Sequence, residues 1–177
     1  MGRRRLVPLG GLVLALLARP SPTAAQQASI NASAQVSIIA LSIAGTQDLD
    51  FGTVASGSPM TIDPRTSVSA GRFQINGFPF GQFQLTFTLP ALLQRFPGPA
   101  TMPISFGATA ACGRTTNVQA TCGYFNPANP FLGRIRLAFP PNNNYFVWVG
   151  ATVSPGVAQA PGVYQGAITA TVAYTGN

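Results

Sequence analysis

The stretch Gly162–Tyr174, GVYQGAITATVAY, decides the fold class. Tyr164, Ile168, Ala170, Val172 and Tyr174 fall on one side of a two-residue repeat. Gln165, Thr169 and Thr171 fall on the other, with the small Ala167 and Ala173 between them. Successive side chains of a strand point to opposite faces, so this alternation reads as one β-strand with a single buried face. It stops three residues before the last residue of the chain. The expectation is a domain closed by a core strand, which needs a neighbour from within the chain or from another molecule.

Working outward, the same short alternating pattern recurs between turn signals. Arg72–Ile75 ends at Asn76-Gly77, a strong turn dipeptide. Gln82–Leu89 sets Phe83, Leu85, Phe87 and Leu89 against Gln82, Gln84, Thr86 and Thr88, and stops at Pro90. Further runs are Phe51–Val54, Thr61–Ile62, Met102–Phe106 and Gly133–Phe139. Tyr145–Val149 puts Phe146 and Trp148 on one face and Tyr145, Val147 and Val149 on the other. Those aromatics read as core rather than as a ligand platform. Ala91–Phe96 (ALLQRF) is expected to form a single helical turn between its flanking prolines. Many short strands at this spacing predict an all-β, two-sheet antiparallel sandwich.

The run Ser29–Ile43 changes phase midway. Ile30, Ala32, Ala34, Val36 and Ile38 share one parity, whereas Ile39, Leu41 and Ile43 share the other. A half-buried strand does not change face without a bulge or bend. Residues 28–38 therefore read as a free-standing alternating segment, or as a first strand that crosses between sheets. Ahead of it, Arg3-Arg4-Arg5, the apolar run Leu6–Ala18 and Thr23-Ala24-Ala25 read as a secretory signal peptide cleaved after Ala25. The expected organisation is a signal at 1–25, an N-terminal extension or first strand at 26–38, and a β-sandwich at 39–177. General secretion is favoured over the twin-arginine route, because no cofactor site demands export in the folded state.

Composition excludes several functions. Cleavage would leave 152 residues, enough for one domain with a core. They contain six scattered arginines against three aspartates, a net charge of about +3, which offers no clustered basic patch for nucleic acid. No run is long and apolar enough for a membrane-spanning helix after the signal. The chain has no His, Glu or Lys, so the usual general acids, bases and Schiff-base formers are missing. Asp48 and Asp50 (QDLDFG) would share a face on a strand and approach a cation, or else cap a turn beside Gly52. Calcium wants six to eight oxygens and Asp63 is the one other acid, so the turn is favoured. Asn31-Ala32-Ser33 matches a glycosylation sequon but sits where a strand is expected. The reading is a non-enzyme without metal or cofactor. Cys112 and Cys122 are an even pair in an exported chain and read as a disulfide closing a short loop. Such a link contributes about 2–3 kcal/mol by the loop-entropy argument. A thiolate metal site would lack further ligands.

Several elements in collinear order resemble a bacterial secreted family called domain of unknown function 4402. They are A-S-A-x-V near the start, D-L-D-F-G-T-V at Asp48–Val54, F-Q-I-N-G at Phe73–Gly77, L-T-F-T-L-P at Leu85–Pro90, V-G-A-T-V at Val149–Val153, and the closing P-G-V-Y-Q-G and T-V-A-Y. The L-D-F-G element and the closing element are also similar to spore coat protein U and chaperone–usher pilin domains. Those pilin families carry a cysteine soon after the N-terminal strand, a feature this chain lacks. The pilin resemblance implies an immunoglobulin-like sandwich lacking its last strand, completed by strand addition. Ile30, Ala32, Ala34, Val36 and Ile38 would then be the donor residues. Ile168, Ala170, Val172 and Tyr174 would line the acceptor and the chaperone-docking edge. The expected partners are copies of the chain or related subunits, with a periplasmic chaperone and an outer-membrane usher in transit. The expected function is a fibre subunit at the cell surface supporting adhesion or biofilm. The alternative is a self-contained secreted binding module whose N-terminal strand pairs within its own domain.

Overall fold

The computed structural model describes residues 33–34, 39–129, 131–137 and 143–175, with side chains throughout except at 131–135. The signal peptide and the donor residues Ile30, Ala32, Val36 and Ile38 lie outside the described residues. The chain divides into two units, Met1–Val36 and Ser37–Asn177. In the first, Ser33 and Ala34 are exposed and in no regular element. The second holds all the described strands.

In chain order these are β1 (Ser42–Gln47), β2 (Met60–Ile62), β3 (Gly71–Asn76), β4 (Gln82–Thr88), β5 (Leu92–Phe96), β6 (Thr101–Ser105) and β7 (Ala111–Arg114). After a 3-10 turn at Gln119–Thr121 come β8 (Gly123–Phe125), β9 (Phe131–Arg136), β10 (Asn144–Val149), β11 (Ala151–Val153), β12 (Val163–Gln165) and β13 (Thr169–Tyr174). Every pairing is antiparallel. The first sheet runs β1-β3-β10-β7-β8, the second β12-β5-β6-β11-β2 and the third β13-β4-β9.

The first and third sheets form the sandwich. Between them lie Ile75, Phe83, Leu85, Ala111, Phe125, Leu137, Val147 and Val149, all buried, with Leu41, Ile43, Phe87, Ile168, Ala170 and Val172 packed against them. Each side chain of this size contributes about 1.5–3 kcal/mol when fully buried. The immunoglobulin pattern places strands A-B-E-D in one sheet and C-F-G in the other. Here β1-β3-β10-β7 stands in the A-B-E-D order and β4-β13 in the C-F order, with β9 extending the sheet beyond β4. The G position corresponds to the other edge of β13, along which no strand pairs among the described residues.

Three readings are corrected. The stretch Gly162–Tyr174 is two strands in two sheets, broken at Gly166–Ile168. Tyr164 consequently packs with Met102, Ile104 and Val153, away from Ile168, Ala170 and Val172. A Cβ on Gly166 would sit 2.8 Å from Leu93 Cδ2, so a larger residue at the crossing would displace the end of the Leu93 side chain. ALLQRF is the strand β5 rather than a helical turn, because Leu93 and Arg95 turn inward between exposed Leu92, Gln94 and Phe96. Phe51–Val54 is a loop whose apolar side chains fill gaps between sheets. Asn76-Gly77 ends β3 as expected, and the connection arches from the first sheet to the third.

Strand β10 behaves as its two apolar faces predict. Val147 and Val149 enter the sandwich, whereas Phe146 and Trp148 pack on the opposite face beside Cys112 and Cys122. Cys112 and Cys122 are joined, with Cα atoms 5.4 Å apart. The second sheet is continuous with this strand through Gly150, where a Cβ would meet the Ile62 carbonyl oxygen at 2.0 Å. This sheet had no counterpart in the two-sheet expectation.

Candidate functional site: the open edge of the closing strand

Strand β13 pairs with β4 from Thr169↔Thr88 to Tyr174↔Phe83 without a break. The Thr175 amide continues the ladder, donating to the Gln82 carbonyl at 3.1 Å. Amide and carbonyl groups of alternate residues in an antiparallel strand point to opposite neighbours. Residues 169, 171 and 173 therefore direct theirs to β4, and Ala170, Val172 and Tyr174 direct theirs to the other edge. The same three residues point their side chains toward the core. Ala170 and Val172 are nonetheless only half-buried, and so are Leu41 and Ile43 from β1, the edge strand of the opposite sheet. The sandwich is thus thinly covered along one side, between β1 and β13.

The two strands run in opposite directions along this gap. At one end the Tyr174 hydroxyl accepts the Phe78 amide at 2.7 Å and donates to the Ile39 carbonyl at 3.1 Å. The ring lies against Gly77 and Gly81, where Cβ atoms would come within 2.5 Å of its oxygen and 2.9 Å of its Cε1. Those glycines make room for a side chain, with φ in the ordinary range. At the other end a cavity of about 1010 Å³ opens, lined by Gln47, Leu49, Phe73, Leu93, Tyr164 and Ile168 among others.

Other sheet edges are guarded. Long, flat, uncharged edges invite strand addition, and proteins blunt them with charge, proline, bulges or short length. β9, at the far side of the same sheet, carries Arg134 and Arg136 and shifts register between Phe83 and Leu85 of its partner. β1 has a register shift between Gly45 and Gln47. β2, β8 and β12 are three residues each. Among the described strands, β13 alone is a six-residue edge without charge, proline or irregularity.

Asp50 and Asp63 hold turns. Asp50 Oδ1 accepts the Gly52 amide at 2.7 Å, and Gly52 takes a φ of 63°. Asp63 Oδ1 accepts the amides of Arg65 and Thr66 and its carboxylate accepts the Tyr124 hydroxyl at 3.1 Å. The Arg65 guanidinium lies 4.1 Å above the Tyr124 ring and donates to the Cys122 carbonyl, so this cluster ties the cysteine loop to the segment after β2. The Tyr124 hydroxyl is raised above its ordinary pKa by desolvation and by its bond to Asp63. Among the described residues no three His, Cys, Asp or Glu side chains gather to hold a metal ion.

Of the residues named from sequence, Ile168, Ala170, Val172 and Tyr174 line the open edge together. Ala34 is exposed, and the other four donor residues fall outside the described region. The Tyr174 clamp and the cavity were not foreseen. The disulfide points to an oxidising, extracytoplasmic setting. No helix among the described residues is long and apolar enough to cross a membrane. No curated protein matches the chain. The family description that matches, over residues 41–174, is Domain of unknown function (DUF4402), and the chain belongs to that family.

Proposed function

We propose that this protein is an exported structural subunit of a surface fibre, polymerising by β-strand addition at the open edge of β13 and supporting attachment or biofilm. The observation that carries this reading is that edge: six uncharged residues in register, over a half-buried apolar face, at the position where a sandwich of this order would hold one more strand. The alternating segment at 28–38 is the complementary half. Each Ile or Val that such a segment buries contributes about 1.5–3 kcal/mol before the cost of association. A periplasmic chaperone that covers the edge during transit and an usher that exchanges it for the next subunit fit the same geometry, by analogy with pilin domains. No catalytic role is proposed: Asp50 and Asp63 are engaged in turns, and the chain has no His, Glu or Lys to act beside Asp48.

Expression of residues 26–177 in a periplasm, with and without a co-expressed chaperone, tests the reading. Multimer ladders or aggregation without chaperone, and soluble complex with it, are expected. A stable monomer with 28–38 protected from protease would overturn it. Replacement of Val36 or Ile38 by Asp should block assembly while leaving export intact.

The alternative, a self-contained binding module, draws on the cavity of about 1010 Å³, whose volume is at the upper end of ligand sites. A ligand that stabilises a monomeric chain without changing its mass would favour it.

A further inference from the structure

We propose that the outer face of the first sheet holds a saccharide site, built around Phe146 and selective for a sugar that carries a carboxylate. The proposal goes beyond the strand-addition reading and does not depend on it, because this face belongs to the first sheet and β13 to the third. Alternation along β3, β7 and β10 sends Phe73, Ile75, Ala111, Val147 and Val149 into the sandwich. Gln74, Asn76, Arg114, Asn144 and Phe146 are consequently turned to the other face. Phe146 is paired with Gln74 on one side and with Arg114 on the other, and Asn144 with Asn76. Neighbouring strands lie about 4.8 Å apart and alternate residues about 6.8 Å apart. The five residues therefore share a patch of roughly 10 by 7 Å, room for one pyranose ring and its substituents.

The groups of this patch are held in place before any ligand arrives. Trp148 is buried beside Phe146, with ring centroids 6.1 Å apart and planes tilted by 31°. Phe146 itself is half-buried, so packing fixes its ring while part of it meets solvent. The partly negative face of such a ring suits the C–H face of a pyranose. Asn144 Oδ1 accepts Gln74 Nε2 at 3.0 Å and Asn76 Nδ2 at 2.9 Å. With both lone pairs of that oxygen engaged, Asn144 presents its Nδ2 donors, and Gln74 Oε1 and Asn76 Oδ1 stand by as acceptors. A donor between two acceptors matches neighbouring sugar hydroxyls, each of which both donates and accepts.

Charge decides the class of sugar. The five strands of this sheet carry Arg72 and Arg114 and no acid. Arg114 Nε donates to Thr116 Oγ1 and its Nη1 to the Thr121 carbonyl, both at 2.8 Å. Those bonds anchor the guanidinium and leave Nη2 to meet a carboxylate beside the Phe146 ring. A charge-assisted bond of that kind is stronger than a contact between neutral groups. Two arginines are too few to follow the run of phosphates that a nucleic acid offers.

The secreted chain is titrated with a trimer of galacturonic acid, with its methyl ester and with a DNA oligonucleotide. Binding is measured per chain by calorimetry and by the fluorescence of Trp148, the sole tryptophan. Saturable binding of the acid is expected, with the ester about tenfold weaker. Asn144→Asp keeps oxygens for Gln74 and Asn76 but replaces the outward donor by a carboxylate oxygen. It should fold like the unaltered chain and weaken binding of the acid by at least about tenfold. Phe146→Leu keeps an apolar contact with Trp148 and removes the flat ring, so it should weaken acid and ester alike. No binding of either sugar, or acid binding that survives Asn144→Asp, would overturn the site. Equal binding of acid and ester by the unaltered chain would overturn the carboxylate preference. Tighter binding of the DNA would overturn the saccharide assignment. Multimer formation is read separately from mass, so failure here leaves the strand-addition reading to its own test.

Discussion

The two edges of one three-stranded sheet, β13 and β9, face the same problem and solve it in opposite ways. Both are six residues long and both pair with β4. β9 carries two arginines and an irregular register and ends at Arg136, after which the Leu137 amide donates to the Gly81 carbonyl at 3.2 Å. β13 carries Thr, Ala, Val and Tyr in unbroken register. An edge strand that is left smooth while its counterpart is charged is an edge kept fit for pairing. The contrast leaves one side of the sheet blunted and the other geometrically open to pairing.

The sharpest way to break the contrast uses proline. Ala170 directs its N–H to the open edge, so Ala170→Pro should leave the ladder to β4 in place and remove a donor that an incoming strand needs. Loss of all species above monomer, with the melting temperature lowered by only a few degrees, is the expected outcome. Thr171→Pro is the control, because its N–H belongs to the β4 ladder. It should destabilise the fold itself by about 3 kcal/mol. Equal effects of the two substitutions on folding would show that the assignment of the two edges of β13 is wrong.

The reverse experiment removes the guard from β9. Arg134→Thr with Arg136→Thr should give a second adhesive edge and convert ordered ladders into irregular aggregates, read by sedimentation and electron microscopy. Light scattering that stays at the level of the unaltered chain would mean that the register shift, rather than charge, protects β9.

A third expectation concerns the shared core. Burial pushes the Tyr145 hydroxyl up to about 12 from its ordinary value near 10. A group whose folded pKa is raised contributes stability that is complete below the unfolded pKa and lost as pH rises through the folded one. Stability should therefore fall between about pH 10 and 12, by about 2–3 kcal/mol. Tyr145→Phe should flatten that decline in denaturant titrations. Because Tyr145 sits on the face of β10 that enters the sandwich, the decline should be the same for monomer and for the Ala170→Pro variant.

How far the sequence discloses this arrangement depends on whether a signal is local. Alternation in Gln82–Leu89 and in Tyr145–Val149 identified β4 and β10 and their buried faces, because period two is a property of the strand alone. The disulfide followed from an even pair of cysteines in a chain expected to be exported. The break at Gly166 was hidden, since the alternation of Tyr164 and Ile168 keeps phase across it while the two strands enter different sheets. The crossing follows from non-local pairing, β12 with β5 and β13 with β4, both more than sixty residues earlier. ALLQRF failed for a related reason: its alternation is weak, and the pairing with β6 and β12 that stabilises it is non-local. Ile168, Ala170, Val172 and Tyr174 were legible as one face, but their incomplete burial was not, because it depends on which strand lies beside them.

The smallest expected effect belongs to the Tyr174 hydroxyl. Tyr174→Phe removes the partner of the Phe78 amide and of the Ile39 carbonyl. Both positions are exposed enough for water to replace it, so the cost in stability should be about 1 kcal/mol. Leu41 stays packed against the core without that bond, so Tyr174→Phe should keep the fold and the assembly of the unaltered chain while unfolding at lower denaturant. A denaturation midpoint equal to that of the unaltered chain would show that water replaces both hydrogen bonds at no cost.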